Sequence, residues 1–231
     1  MQKTTNTSTI ENMLKAGAHF GMTRSRRHPT VTPYIFGTKN KTELFDLEKT
    51  EPLLAAAKEF IKTISKTGKQ ILFVGGKSEA KKVIQDAAMS IAMPYVAGRW
   101  IGGTLTNFVQ IKKRMEKLEK LTTEREKGEL AKYTKKERLL IDREIAKLEL
   151  MFSGIMSMKE MPAALFVIDP KREINAVREA QQMNIPIIAL LGSDCDFTEV
   201  KYPIVGNDAS KNSIQFFTKE ITAAHEEGRK A

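Results

Sequence analysis

The sequence predicts an open α/β/α sandwich built on a mainly parallel sheet, and three observations carry that reading. Short, unbroken apolar runs recur at Ile71-Leu72-Phe73-Val74, Ala164-Leu165-Phe166-Val167-Ile168 and Ile185-Pro186-Ile187-Ile188-Ala189-Leu190-Leu191. Between them lie segments with helical apolar spacing, such as Ala80, Val83, Ile84, Ala87, Ala88 and Ile91. Strands without polar alternation are buried on both faces, and helix-bearing crossovers supply the cover. At 41% hydrophobic residues over 231 positions, the chain can bury a core of that size.

In chain order, residues 1–9 are polar and read as a flexible N-terminal arm. Residues 10–18 follow as a short helix with Ile10, Met13, Leu14 and Ala18 on one face. Gly17, Gly21, Pro29, Pro33 and Gly37 punctuate a loop-rich stretch. Tyr34-Ile35-Phe36 and Glu43 to Leu47 read as two short strands around a turn at 37–41. Helical spacing from Leu53 to Ile64 stops at Gly68. Tyr95-Val96-Ala97 is a further strand. Helices over 174–183 and 210–227 flank a last short strand at Ile204-Val205. The arrangement is Rossmann- or flavodoxin-like.

Residues 104–152 interrupt this alternation. Phe108, Ile111, Met115 and Leu118 are spaced 3-4-3, and Ile141, Ile145, Leu148 and Phe152 are spaced 4-3-4. These are the seam positions of two helices. Gly128 and Tyr133 lie in the break, and Thr134 with Glu137 fits a capping box that starts the second helix. The expected architecture is an antiparallel helical hairpin, 104–152, projecting from an α/β body formed by 10–103 and 153–231.

Lys and Arg number 38 against 28 Asp and Glu, a formal net charge of +10. Such a surplus attracts polyanions, nucleic acid foremost. The single Cys195 excludes an internal disulfide and fits a reducing compartment. No apolar run approaches the roughly 20 residues that span a bilayer. The expectation is a cytoplasmic protein without a membrane partner.

Patterns for catalysis fail one by one. Gly75-Gly76-Lys77-Ser78 sits between a strand and a helix, yet the Gly that a phosphate-binding loop requires five positions earlier is Ile71. Asp169, Asp194 and Asp196 lie past predicted strand ends, where α/β enzymes place ligands. They have no histidine near them in sequence, and Asp equally favours turns and helix caps. Cys195 stands between two aspartates that raise a thiol's pKa. His19 and His28 are too few for a zinc site. The chain therefore reads as a non-enzyme with no cofactor and no metal.

The basic clusters are more informative. Arg24, Arg26 and Arg27, with Lys39 and Lys41, occupy a stretch almost free of acid, and arginines in such loops fork onto phosphates or stack on bases. Lys112, Lys113 and Arg114 crowd the first inserted helix. Between strand and hairpin, Arg99, Thr104, Thr106 and Asn107 are candidates to grip a sugar–phosphate backbone. Trp100, Gly102 and Gly103 read as the hinge and its packing.

With those segments in hand, the chain resembles the bacterial-type small-subunit ribosomal protein two family. The resemblance runs from about Ile10 to Arg229. It rests on Met13-Leu14-Lys15-Ala16-Gly17-Ala18-His19-Phe20-Gly21, Pro33-Tyr34-Ile35-Phe36-Gly37, Asp46-Leu47-Glu48-Lys49-Thr50, Thr134-Lys135-Lys136-Glu137 and Gly206-Asn207-Asp208. Above all it rests on Arg99-Trp100-Ile101-Gly102-Gly103-Thr104-Leu105-Thr106-Asn107. The resemblance implies the sandwich with its protruding hairpin, binding to small-subunit rRNA, recruitment of the large first protein of that subunit, and no catalysis or stable homo-oligomer. The chain departs from the family pattern at Met22, Gly192-Ser193-Asp194, Phe197 and Ala209-Ser210, all but the first on the rim where an enzyme site would sit.

Overall fold

The computed structural model describes residues 2–230. Helix α1 (Gln2–Lys15) leads to β1 (Phe20–Thr23), β2 (Ile35–Lys39) and β3 (Thr42–Phe45). Then α2 (Leu47–Lys66), β4 (Ile71–Val74), α3 (Ser78–Ser90) and β5 (Tyr95–Val96) follow. The inserted helices are α4 (Phe108–Glu126) and α5 (Lys135–Phe152). The body closes with β6 (Ala164–Ile168), α6 (Ile174–Gln182), β7 (Ile187–Leu191), β8 (Tyr202–Val205) and α7 (Lys211–Lys230).

Among the described residues, β5-β4-β6-β7-β8 form one sheet, parallel throughout. The first strand of this sheet lies second in order, the flavodoxin-like arrangement, with the switch point between β4 and β6. Alternate residues of each strand point to opposite faces. Ile71, Phe73, Ala164, Phe166, Ile188 and Leu190 face a core with α2, α3 and α7. Leu72, Val74, Leu165, Val167, Ala189 and Leu191 face Trp100, α6 and the buried residues of α4 and α5. Two cores on one sheet make the three layers.

Three segments differ from the sequence expectation. The polar stretch expected as an arm is helical from Gln2 on; once Met13 is buried, each added residue gains a backbone hydrogen bond without a new nucleus. Helix α2 starts at Leu47 rather than Leu53, because the Asp46 carboxylate accepts from the Glu48 amide and caps it. The stretch read as loop contains β1, which pairs with β3 in a small antiparallel sheet of order β1-β3-β2. Phe20-Gly21-Met22-Thr23 has no apolar alternation to betray a strand.

The capping box is formed: the Thr134 amide donates to Glu137 at 2.9 Å, and the Glu137 amide donates back to the Thr134 hydroxyl at 3.4 Å. Ile111, Met115 and Leu118 of α4 and Ile145, Leu148 and Phe152 of α5 are buried. Ion pairs join Lys117 to Glu144 and Arg125 to Glu149.

The insertion returns at Gly154, whose α-carbon lies against edge strand β5. A methyl there would lie 2.8 Å from the Tyr95 ring and collide with its carbonyl oxygen. Gly154→Ala is expected to lower stability by about 1–3 kcal/mol through this overpacking. Urea unfolding checks it, and an unchanged midpoint would show that the returning 3-10 turn is not packed on β5 as described.

Candidate nucleic-acid interface

The segment from Gly17 to Thr30 crosses the carboxyl end of the parallel sheet and is held there by hydrogen bonds to the loops after β7 and β8. The Met22 amide donates to the Ser193 hydroxyl, and the His28 amide to the Ser193 carbonyl, both at 2.8 Å. The Phe197 amide donates to the Thr30 hydroxyl, and the Asn207 side-chain amide to the Gly17 carbonyl. Ser193 is fully buried, so both of its bonds are made away from water. Arg24–Arg26 forms a 3-10 turn on this base, with the Arg24 and Arg26 side chains exposed.

Arg27 behaves differently from its neighbours. Its Nη1 donates to Glu43 Oε1 at 3.1 Å, and Glu43 is wholly buried. A buried carboxylate needs a cationic partner, so this arginine is committed to the interior. Lys39 and Lys41 are exposed at the β2–β3 turn.

The run from Arg99 to Asn107 is organised by a residue that sequence reasoning passed over. Glu179 of α6 is buried and accepts five hydrogen bonds from this turn. Trp100 Nε1 and the Gly103 amide donate to Oε1 at 3.0 and 2.8 Å. The Leu105 amide and the Thr106 amide and hydroxyl donate to Oε2 at 3.0–3.2 Å. Burial pushes the carboxyl upward, but these donors outweigh it and hold the group below the usual glutamate range. The signal for Glu179 was present in the sequence: it stands among Ala176, Val177 and Ala180 on the buried face of α6.

The same turn sorts the polar candidates. The Thr104 hydroxyl donates to the Ile101 carbonyl and is buried, and the Thr106 hydroxyl is held by Glu179. Trp100 packs in the core with 6% of its surface exposed. Gly103 takes a left-handed φ of +89°, which a glycine adopts without strain. Gly102, Arg99 and Asn107 remain exposed, as do Lys112, Lys113 and Arg114 along α4. Thus Arg24, Arg26, Lys39 and Lys41 form one set of exposed candidates, and Arg99 with the α4 cations another.

At the switch point the sheet's usual ligand position is taken by the protein itself. Lys77 Nζ lies 3.2 Å from Asp169 and 3.1 Å from Asp208. Burial opposes the lysine's charge, yet the two carboxylates hold its pKa above the ordinary value. Two carboxylates share this one ammonium, and the more enclosed of them, Asp208, is pushed up by burial to about 6. The Gly76 amide donates to Glu173. Cys195 is buried, and burial with the charges of Asp169 and Asp208 pushes its thiol up to about 12, so no thiolate is available at neutral pH. Among the described residues no cluster of three or more His, Cys, Asp or Glu is placed to hold a metal.

Comparison with known proteins agrees across nearly the whole chain. The family model described as ribosomal protein S2 matches residues 13–228. A relative in Nitratiruptor sp., the small ribosomal subunit protein uS2, is 42% identical over 96% of this chain and 83% of its own length. The proteins of the same description in Sulfurimonas denitrificans and Chloroflexus aggregans are 41% and 39% identical, covering 96% and 95% of this chain and 85% and 92% of theirs.

Glu179→Gln keeps the side chain's shape but replaces one acceptor oxygen by a donor facing donors. It is expected to cost on the order of 3 kcal/mol at pH 7. Because the folded pKa lies below the unfolded value of about 4.3, the native carboxylate's contribution is complete above that value. It is lost as pH falls through the folded one. The variant should therefore lose less stability than the parent between neutral and strongly acid pH in urea titrations. An equally steep acid limb in both proteins would remove Glu179 from this account.

Proposed function

Since the chain belongs to the ribosomal protein S2 family, we propose that it is a structural constituent of the small ribosomal subunit that binds rRNA and neighbouring ribosomal proteins and carries out no catalysis. The family match over 216 consecutive positions, residues 13–228, carries this reading. It places the protein's work in translation, in the cytoplasm.

The physical features support a docking role. Arg24, Arg26, Lys39 and Lys41 sit on short, internally bonded turns, so little conformational freedom is lost when phosphates bind. Affinity then comes chiefly from phosphate neutralisation, and specificity from the shape of the folded RNA. Arg99, Asn107, Lys112, Lys113 and Arg114 extend the same chemistry onto the insertion, 104–152, which acts as an arm from the body of 10–103 and 153–231. Thr104 and Thr106 serve this surface by shaping the turn, with Trp100, Gly102 and Gly103. The finer partner assignment is the large first protein of the small subunit, received as a neighbour on the assembled particle, with the chain present as a single copy.

The test is sedimentation of the protein with small subunits at low and high salt. Co-migration that fades as salt rises is the expected result; migration as free protein at both salts would overturn the reading. Arg24→Ala with Arg26→Ala should leave the fold intact and flatten the salt dependence by about 1.5 in log–log slope, two phosphate contacts' worth. Arg27→Ala should instead destabilise the monomer by about 3 kcal/mol, because it leaves the Glu43 carboxylate buried and unpaired. A folded Arg27→Ala protein of unchanged stability, defective only in docking, would return that residue to the surface set.

A further inference from the structure

We infer that the outer face of α5 is a second helix-packing seam, and that it receives one acidic amphipathic helix of a neighbouring protein. This deepens the protein-neighbour part of the function proposed above and rests on it.

Helix α5 carries two lines of residues at the same spacing. One is the seam that faces the core: Ile145, Leu148 and Phe152 are buried, and Ile141 is partly buried against the same cluster. The other runs Leu139, Arg143, Ala146 and Leu150, again spaced 4-3-4, and each of these residues is exposed. At 3.6 residues per turn this second line lies on the side of the helix opposite the first. Leu140 and Met151 widen it, and both are exposed. Leu150 is 85% exposed, the barest large hydrophobic residue among those described. A helix that only had to cover a core would carry one apolar stripe and a polar back. A contiguous aliphatic patch facing water marks an interaction site. Ala146, small at the middle of the line, lets a second helix axis come close.

The charge beside the line decides what covers it. Of the four carboxylates in α5, Glu137 closes the capping box, and Glu144 and Glu149 pair with Lys117 and Arg125 of α4. Asp142 stands exposed at the flank. Lys136, Arg143 and Lys147 are exposed and make no ion pair among the described residues. Carboxylates are thus drawn towards α4, and three cations are left along the outer face. At the foot of the helix, Leu150 and Met151 line a groove with Lys81 and Arg99, and among the described residues no carboxylate lines it. The complement is an apolar helical stripe edged by Asp and Glu, since flanking charges set which helix a seam accepts.

Two other occupants match the face less well. A second copy of this chain, set α5 against α5, would bring Lys136, Arg143 and Lys147 up to one another, and like charges across an interface repel. An RNA duplex offers phosphates, sugars and groove edges. It would pair with the cations but present no aliphatic line to Leu139, Leu140 and Leu150.

The experiment puts the photo-reactive residue p-benzoylphenylalanine in place of Leu139 or of Leu150 in the full chain and assembles each form into small subunits. After irradiation of purified subunits, both positions should cross-link to one protein, at sites about three turns apart on a single helix rich in Asp and Glu. The free full chain is also titrated with a three-heptad helical peptide carrying leucine along its seam and glutamate at its flanks. Arg143→Glu with Lys147→Glu should weaken that peptide about five- to tenfold, through two lost ion pairs and the repulsion that replaces them. Both side chains are exposed, so the urea midpoint of this variant should match the parent's. Cross-links to rRNA, to a second copy of the chain or to two different proteins overturn the inference, as does the absence of any cross-link. Equal affinity of parent and charge-reversed chain for the peptide also overturns it. Co-sedimentation of the parent with subunits tests the underlying function separately.

Discussion

A single buried carboxylate organises the way this protein presents its insertion. Glu179 accepts from the Trp100 indole, three backbone amides and one hydroxyl. Each of those amides belongs to a turn with no secondary-structure partner of its own. Without the carboxylate the buried Leu105 amide and Trp100 indole would lack an acceptor, at roughly 1–3 kcal/mol each, a sizeable share of a domain's net stability. With it, Trp100 is drawn into the core and the chain is aimed from β5 into α4. The return path at Gly154 packs on Tyr95 of the same edge strand. Both ends of the insertion thus meet on β5, the shortest strand of the sheet.

The crevice at the carboxyl end of the sheet is closed rather than opened. In other doubly wound sheets the crevice at the switch point holds a ligand. Here Lys77 bridges Asp169 and Asp208, and the segment from Gly17 to Thr30 is bonded across the rim through Ser193, Phe197 and Asn207. The scaffold's interior chemistry is spent on holding itself together. What it offers to partners is its outside: arginines and lysines on short turns with fixed bases. This division suits attachment to a folded polyanion, where positions of charges matter and no bond is made or broken.

The central strands were legible in the sequence because parallel strands buried on both faces read as unbroken apolar runs. The runs at 71–74 and 164–168 coincide with β4 and β6. The capping box was legible because its two partners lie three residues apart. Strand β1 was not, since Gly21 leaves it no alternation and its pairing partner lies about 20 residues away. Helix α2 was read six residues short because its start is set by the Asp46 cap, outside the apolar pattern.

For the candidate site, the sequence by itself determined which charges are available: an acid-poor basic stretch at the N-terminal end and a crowded basic face on α4. It also determined the fold class, because apolar runs and helical spacing are local properties of the chain. Only the tertiary structure decided which polar groups face inward. It gave Arg27 to Glu43, Thr106 to Glu179 and Lys77 to two aspartates, and it left Arg24, Arg26 and Lys39 outside. The partners in those four pairings are 16, 73, 92 and 131 residues apart. A residue's type announces what it can bond, but whether it does so inside the protein or with another molecule depends on what the fold carries to it from far along the chain.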